Sequence, residues 1–345
     1  MVDSEILIPV VIILALLFTY TNGFQDGSSV AASGIASLSM SPRQAVSLVA
    51  VFEFIGAIAG GTAVATTIQS IAHWPSQGVL LPVLMSALVA AISWNFVTRS
   101  LGIPSSSTHA LVGGILGAVA AAGGVNLINW GEMNQLWNAT GVSRVICSLM
   151  LSPPSGFVAG YLFLNLFTFL LRRATMKANS WVQRSQWLAV SALAFGHGSN
   201  DPAKSMGLII LALTSAGVTN LGGVPFYIKL VTGIAMVLGV ISFAQLIVKR
   251  VGTGIYKLRP LHALCSELAS ASILTGASLT GGPVSASQVI ASSIMGVGAG
   301  ARFRGVQWLV AKDMLLAWLL TIPCSGLLAA LIHAVLLSHL SPVVK

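Results

Sequence analysis

Long apolar runs separated by short polar joints make up almost the whole chain. The runs cover approximately residues 6–39, 45–70, 78–99, 104–124, 142–171, 187–218, 226–248, 262–280, 284–300 and 306–337. A helix needs about 20 apolar residues to cross a bilayer, so the pattern predicts an all-α, polytopic membrane protein with roughly ten apolar segments. The first and sixth runs are too long for one uniform helix and carry polar residues midway, which predicts broken helices. The segments 104–124 and 284–300 are read as either full spans or re-entrant hairpins. The longest polar joints, 125–141 and 172–186, cannot hide a soluble domain.

Composition narrows the class. Of 345 residues, 55% are hydrophobic and 7% charged, where a soluble domain carries about 25% charged residues. The net charge of +9 raises nucleic acid as a partner, but the basic stretches lack the interleaved aromatics of such a surface. They follow the positive-inside rule instead. Arg172, Arg173, Lys177 and Arg184 fill one joint and Lys249, Arg250, Lys257 and Arg259 another, two runs on. Both therefore face the cytoplasm, as do Arg43, Arg99, Arg302 and Arg304, in a multi-pass protein of the cell inner (plasma) membrane with both termini external. Met1 is followed by Asp3 and Glu5, not by basic residues, so the first run is expected to be a retained span. Cys147, Cys265 and Cys324 show no metal spacing and are expected to pack. Trp74, Trp130, Trp137, Trp181 and Trp187 are expected at the membrane interface, with His73, His262, His333 and His339 near segment ends.

Two motifs recur in order. Asn22-Gly23-Phe24-Gln25-Asp26-Gly27 is answered 175 positions on by His197-Gly198-Ser199-Asn200-Asp201-Pro202. GIPSSSTHALVGGILGA (102–118) is answered 179 positions on by GGPVSASQVIASSIMGV (281–297). Loop charges start the first copy outside and the second inside, which predicts an inverted-topology repeat, an architecture of secondary transporters. The expected division is 1–125 for the first repeat, 126–186 for a connecting span and basic loop, 187–305 for the second repeat, and 306–345 for C-terminal spanning structure.

Ionised carboxylates in a bilayer are costly, about 3 kcal/mol on insertion scales, and survive mainly where they work. Asp26 and Asp201 lie in polar breaks where unwound backbone could add carbonyl oxygens. With the amides of Asn22 and Asn200 they form a candidate site for cation coordination or proton exchange, and Asp26 and Asp201 are the expected Na+ ligands if sodium couples. A helix-breaking cap, or an ion pair of Asp201 with Lys204, is the structural alternative. Glu53 and Glu267 sit in no break and are placed in support, with Gln25, Lys204 and Gln288. Ser105, Ser106, Ser107 and Thr108, and Ser285 and Ser287 in the second copy, follow Pro104 and Pro283 and open apolar helices. A helix N-terminus offers free N–H groups and partial positive charge to a tetrahedral oxyanion, and hydroxyls add donors without a fixed charge. Ordinary N-capping is the alternative. His109 is the one histidine placed near this site, and His197 is read as a cap of the break.

At these residues the chain resembles the inorganic phosphate transporter (PiT) family in its short bacterial form. The matching stretches are NGFQDGSSVAASGIASLSMSPRQA (22–45), GIPSSSTHALVGGILGA (102–118), FGHGSNDPAKSMGLI (195–209), VSASQVIASSIMGVGAGAR (284–302) and KDMLLAWLLTIP (312–323). The resemblance implies symport of inorganic phosphate with Na+ or H+, no other cofactor, and assembly as a homodimer. It implies that Asp26, Asn200 and Asp201 serve the cation, while Ser105, Ser106, Thr108, Ser285 and Ser287 line the phosphate site. The sequence departs from the pattern at Gln25, where His is frequent, at Ser28-Ser29, where Ala-Asn is usual, and at Ser285-Ala286-Ser287-Gln288, where many members read Ser-Thr-Thr-His. The rival functions are a sulfate or other oxyanion permease on the same scaffold, and an uncoupled anion channel. No G-x-S-x-G elbow is present, and an enzyme is not expected.

Overall fold

The computed structural model describes residues 4–74, 77–103, 105–132, 139–175, 177–218, 223–242 and 245–340. Pro104 and Trp137 lie outside the described residues, as does the side chain of His339. Helix α1 (Ser4–Asn22) runs through a five-residue π-helical turn, Gly23–Gly27, into α2 (Ser28–Ala36). There follow α3 (Pro42–Ala59), α4 (Ala63–Gln69), α5 (Gln77–Ser100), α6 (Ser107–Gly123) and α7 (Gly141–Leu170). The second half comprises α8 (Ala178–Ser215), α9 (Phe226–Ile241), α10 (Gln245–Gly252), α11 (Pro260–Thr280), α12 (Ala286–Arg302) and α13 (Trp308–Leu340).

Among the described residues, five helical stretches are long and apolar enough to cross a membrane: Ile6–Ala36, Pro42–Ala59, Gly78–Ser100, Gly141–Leu170 and Trp308–Ser338. The apolar runs at 45–70 and 226–248 each divide into a longer and a shorter helix, so the count of roughly ten spans is not one helix per run. Outward-facing Leu162, Leu166 and Phe169 on α7, and Leu316, Leu319, Leu327 and Leu331 on α13, are all about half or more exposed. That much contiguous apolar surface on two long helices suits lipid rather than water. His333, expected at an interface, is instead fully buried, with Nδ1 3.4 Å from Ser86 Oγ on α5.

The expectation of unwound breaks is corrected at both aspartates. Helix α8 continues for 38 residues straight through Asn200-Asp201-Pro202. Pro202 removes the N–H that would bond the carbonyl of Gly198, yet α3 braces this turn from outside. A Cβ on Gly198 would stand 2.1 Å from the Glu53 carbonyl oxygen, so the two backbones touch and the helix has no room to open. At Asp26 the helix is interrupted, but by a wider π-type turn with all five residues buried, not by extended backbone. Such turns add one residue to the spacing and are frequent at functional sites.

Two hairpins, α5–α6 and α11–α12, carry the serine segments at their tips. Each is held by the long last helix of the opposite half: α6 packs on α13, and α12 on α7. Matched glycines permit both contacts. A Cβ on Gly117 would fall 2.0 Å from the Gly326 carbonyl oxygen, and one on Gly296 would fall 1.9 Å from that of Phe157. Small residues at such crossings let helix backbones approach closely. The pairing continues elsewhere, with α3 against α8, and α9 against α1 and the π-helical turn.

Candidate functional site

The hairpin tips meet inside the protein. Ser105, Ser106, Ser107, Thr108, Ser285 and Ser287 are all 1% exposed or less. Ser106 and Ser285 cap α6 and α12 with nearly the same backbone, φ −99°, ψ 110° and φ −97°, ψ 112°. Ser106 Oγ accepts the His109 N–H at 3.1 Å. Ser285 makes no such bond, and its Oγ lies 3.2 Å from Ser287 Oγ. The tips are cross-linked reciprocally: Thr108 Oγ1 donates to the Val284 carbonyl oxygen at 3.0 Å, and Ser287 Oγ to the Ser105 carbonyl oxygen at 3.1 Å. Gln288 Nε2 approaches His109 Nδ1 at 3.2 Å. These are the matched positions of the two sequence copies, now in contact.

The two aspartates converge on the same place. One ligand atom each from Asp26, His197 and Asp201 falls within 4.8 Å of the others, and all three residues are buried. Asp26 Oδ2 accepts the Ser107 hydroxyl at 2.5 Å, joining the π-helical turn to the first tip, while Oδ1 is buried without a hydrogen-bond partner. Asp201 Oδ1 lies 2.6 Å from Lys204 Nζ, and Oδ2 lies 3.3 Å from His197 Nε2. His197 Nδ1 in turn stands 2.7 Å from Glu53 Oε1. A chain Lys204–Asp201–His197–Glu53 thus runs from the tips across α8 to α3, with every side chain fully buried. Buried charges are tolerated when paired in this way.

The supporting residues divide. Gln25 Nε2 donates to the Ser105 carbonyl oxygen at 3.0 Å. Asn200 Nδ2 donates to the Gly282 carbonyl oxygen at 3.1 Å, and its Oδ1 accepts the Val284 N–H at 3.4 Å. Its amide therefore fastens the second tip, in addition to whatever it offers a cation. Asn22 Oδ1 is approached by Asn95 Nδ2 at 3.5 Å. Glu267 bonds Ser33 Oγ on α2 at 2.8 Å and no member of the cluster. Lys204 corrects the expectation of an anion site without fixed charge, since its ammonium donates to Thr108 Oγ1 at 2.6 Å.

His197, expected as a cap of the break, lies instead at the centre of the cluster. Two further residues, not expected from the sequence, reach the site: Trp94, whose Nε1 donates to Ser105 Oγ at 2.9 Å, and Thr321, 3.2 Å from the same oxygen. The Trp94-Asn95 pair inside an apolar run was a usable signal; Thr321 carried none.

Hydroxyls, helix N-termini and one ammonium favour an anion here, and two carboxylates favour a cation beside it. With the lipid-facing helices, this defines a membrane transport protein of the ion-handling kind. The sequence profile described as "Phosphate transporter family" matches residues 22–329, and the chain belongs to that family. It is 36% identical over 336 residues to a probable low-affinity inorganic phosphate transporter of Bacillus subtilis, covering 96% of this chain and 97% of the relative. A protein of the same description from Rhizobium meliloti is 35% identical, covering 93% and 94%. A solved structure described as "The sodium-dependent phosphate transporter" shares the fold, with a TM-score of 0.83 at 23% identity over 96% of this chain and 98% of that one. The family and these relatives are transporters, not enzymes.

Proposed function

We propose that this chain imports inorganic phosphate across the cell inner membrane by symport with Na+ or H+, through alternating access of two inverted repeats. In this reading residues 1–125 and 187–305 form the repeats, 126–186 connects them, and 306–345 completes the fold; both termini lie outside, and two copies assemble as a homodimer. Phosphate is held by Ser105, Ser106, Ser107 and Thr108 from one tip and Ser285 and Ser287 from the other. Asn22, Asp26, Asn200 and Asp201 serve the cation, with Asp26 and Asp201 as its carboxylate ligands. Gln25, Glu53, Lys204 and Gln288 hold these groups in place, while Glu267 supports the site from farther off, through Ser33 on α2.

The observation that carries the reading is the reciprocal tip-to-tip bonding of Thr108 to Val284 and of Ser287 to Ser105, beside carboxylates from both halves. Hydroxyls from opposite halves can grip one anion only while both tips are together, so release requires the halves to move apart. Cation and anion in adjacent sites raise each other's affinity, which is the basis of coupling. The sodium dependence in the description of the solved relative favours Na+ as the first ion to try.

Phosphate uptake into proteoliposomes, with an inward Na+ gradient, an inward proton gradient, or neither, tests this directly. Symport requires accumulation above equilibrium with at least one gradient. Uptake that ignores both would overturn it.

A further inference from the structure

We propose that Lys204 is a built-in counter-cation, its ammonium filling in the second half the oxygen cage that a cation from solution fills in the first, so that Asp201 ligates the ammonium and Asp26 the cation from solution. The inference rests on the symport reading and specifies how many cations it uses.

Lys204 is fully buried, and its Nζ lies 2.6 Å from Asp201 Oδ1, 2.6 Å from Thr108 Oγ1 and 3.1 Å from the Val284 carbonyl oxygen. An ammonium has three donors, and all three are met. The acceptors are a carboxylate, a hydroxyl and a backbone carbonyl, the mixed oxygen set that hard cations take. They come from three separate elements: α8, the start of α6, and the tip before α12. A lysine that merely neutralised Asp201 would need only the first.

The sequence offsets identify the counterpart of this cage. Asp201 answers Asp26, Thr108 answers Ser287, and Val284 answers Ser105. The hydroxyl-to-carbonyl bond within the cage has its match, Thr108 to Val284 at 3.0 Å against Ser287 to Ser105 at 3.1 Å. One position differs. Lys204 answers Ser29, a short side chain whose Oγ lies 3.5 Å from its own helix, at the Gln25 carbonyl oxygen. Among the described residues no ammonium bonds the first carboxylate, and Asp26 Oδ1 is fully buried without a hydrogen-bond partner. A buried carboxylate oxygen left unpaired is costly, and a mobile cation relieves that cost when it binds.

The two halves therefore share one design and differ in where the cation comes from. The Asp26 half takes it from solution and can harvest a gradient. The Asp201 half carries it covalently, so its charge balances the anion but can perform no gradient-driven work. Lys204 is thus a residue that sets ion stoichiometry.

Equilibrium dialysis of the purified full chain against labelled Na+, at ionic strength held constant with choline and without phosphate, reads this directly. Lys204→Asn is expected to bind one more Na+ per chain than wild type, and Lys204→Arg the same number as wild type. Loss of a purely structural ion pair lowers the melting temperature in any salt and adds no Na+ site. An unchanged count in a monodisperse Lys204→Asn, including one that only weakens phosphate binding, overturns the proposal. A second measurement needs no variant. In wild-type proteoliposomes at fixed pH, the Na+ gradient that nulls net phosphate flux should give at most one Na+ per phosphate; two or more overturns it. Dialysis requires no transport, so its failure is distinct from failure of symport, which uptake alone decides.

Discussion

The hydroxyl of Thr108, in the first turn of α6, donates to the carbonyl oxygen of Val284, just ahead of α12 and 176 residues away in the chain. Thr108 Oγ1 also accepts a hydrogen bond from Lys204 Nζ at 2.6 Å. One side chain therefore latches the two hairpins and completes the cage around the buried ammonium. Thr108→Val keeps shape and removes both bonds, leaving a buried donor unsatisfied at about 1–3 kcal/mol. Phosphate uptake should fall about 10-fold to 100-fold, on the conversion of 1.4 kcal/mol per factor of ten, and Thr108→Ser should restore most of it. Equal activity of the Val and Ser variants would remove the hydroxyl from the account.

Asp26 and Asp201 should fail in different ways. Asp201→Asn strands Lys204 in a fully buried site, and breaking a buried pair by removing one partner costs about 3–5 kcal/mol. Among the described residues no lysine or arginine forms an ion pair with Asp26, and the bond it accepts from Ser107 Oγ at 2.5 Å an amide oxygen can also accept. Both variants should lose concentrative uptake, but only Asp201→Asn should show a large drop in melting temperature. Thermal unfolding of the two proteins in the same detergent checks the contrast.

Glu53 and Glu267 are both buried acids, yet they hold different partners. Glu53 fixes the imidazole of His197 at 2.7 Å, whereas Glu267 bonds Ser33 on α2. Removing a carboxylate that orients a site imidazole typically costs about 10-fold to 100-fold in activity. Glu53→Gln should therefore reduce initial uptake rates by that order, and Glu267→Gln by less. Equal losses would show that orientation of His197 is not what Glu53 supplies.

The helix crossings give a stability test independent of transport. Gly117→Val and Gly296→Val each drive a side chain into a carbonyl oxygen of the opposing helix, and overpacking of this kind costs about 1–3 kcal/mol or more. Gly276, inside α11, has nothing within 4 Å of its would-be Cβ. Gly276→Ala should be neutral or stabilising by up to about 1 kcal/mol. Folded yield and melting temperature of the three variants measure it.

Much of this was legible in the chain. The paired Asp26 and Asp201 motifs and the paired serine segments announced which residues meet, because chemistry-bearing residues in an apolar background stand out. The helix starts at Ser106 and Ser285 were readable from hydroxyls after proline. The backbone at Asp201 was not. Asn-Asp-Pro reads locally as a break, whereas α8 runs on through it with Gly198 packed against α3. Nor could sequence choose between Lys204 as a plain ion-pair partner and Lys204 as the ligand of three oxygens, since two of those oxygens come from α6 and the second tip. His197 was underrated because its role depends on Glu53, 144 residues away.

In the proposed function one phosphate is gripped by both hairpin tips at once. The most direct measurement is a structure of the full chain determined with phosphate bound. The anion is expected between the tips, within hydrogen-bonding distance of Ser106 or Thr108 on one side and Ser285 or Ser287 on the other, with Asp26 and Asp201 close by. A phosphate held by one hairpin alone, or lodged away from both aspartates, would contradict it.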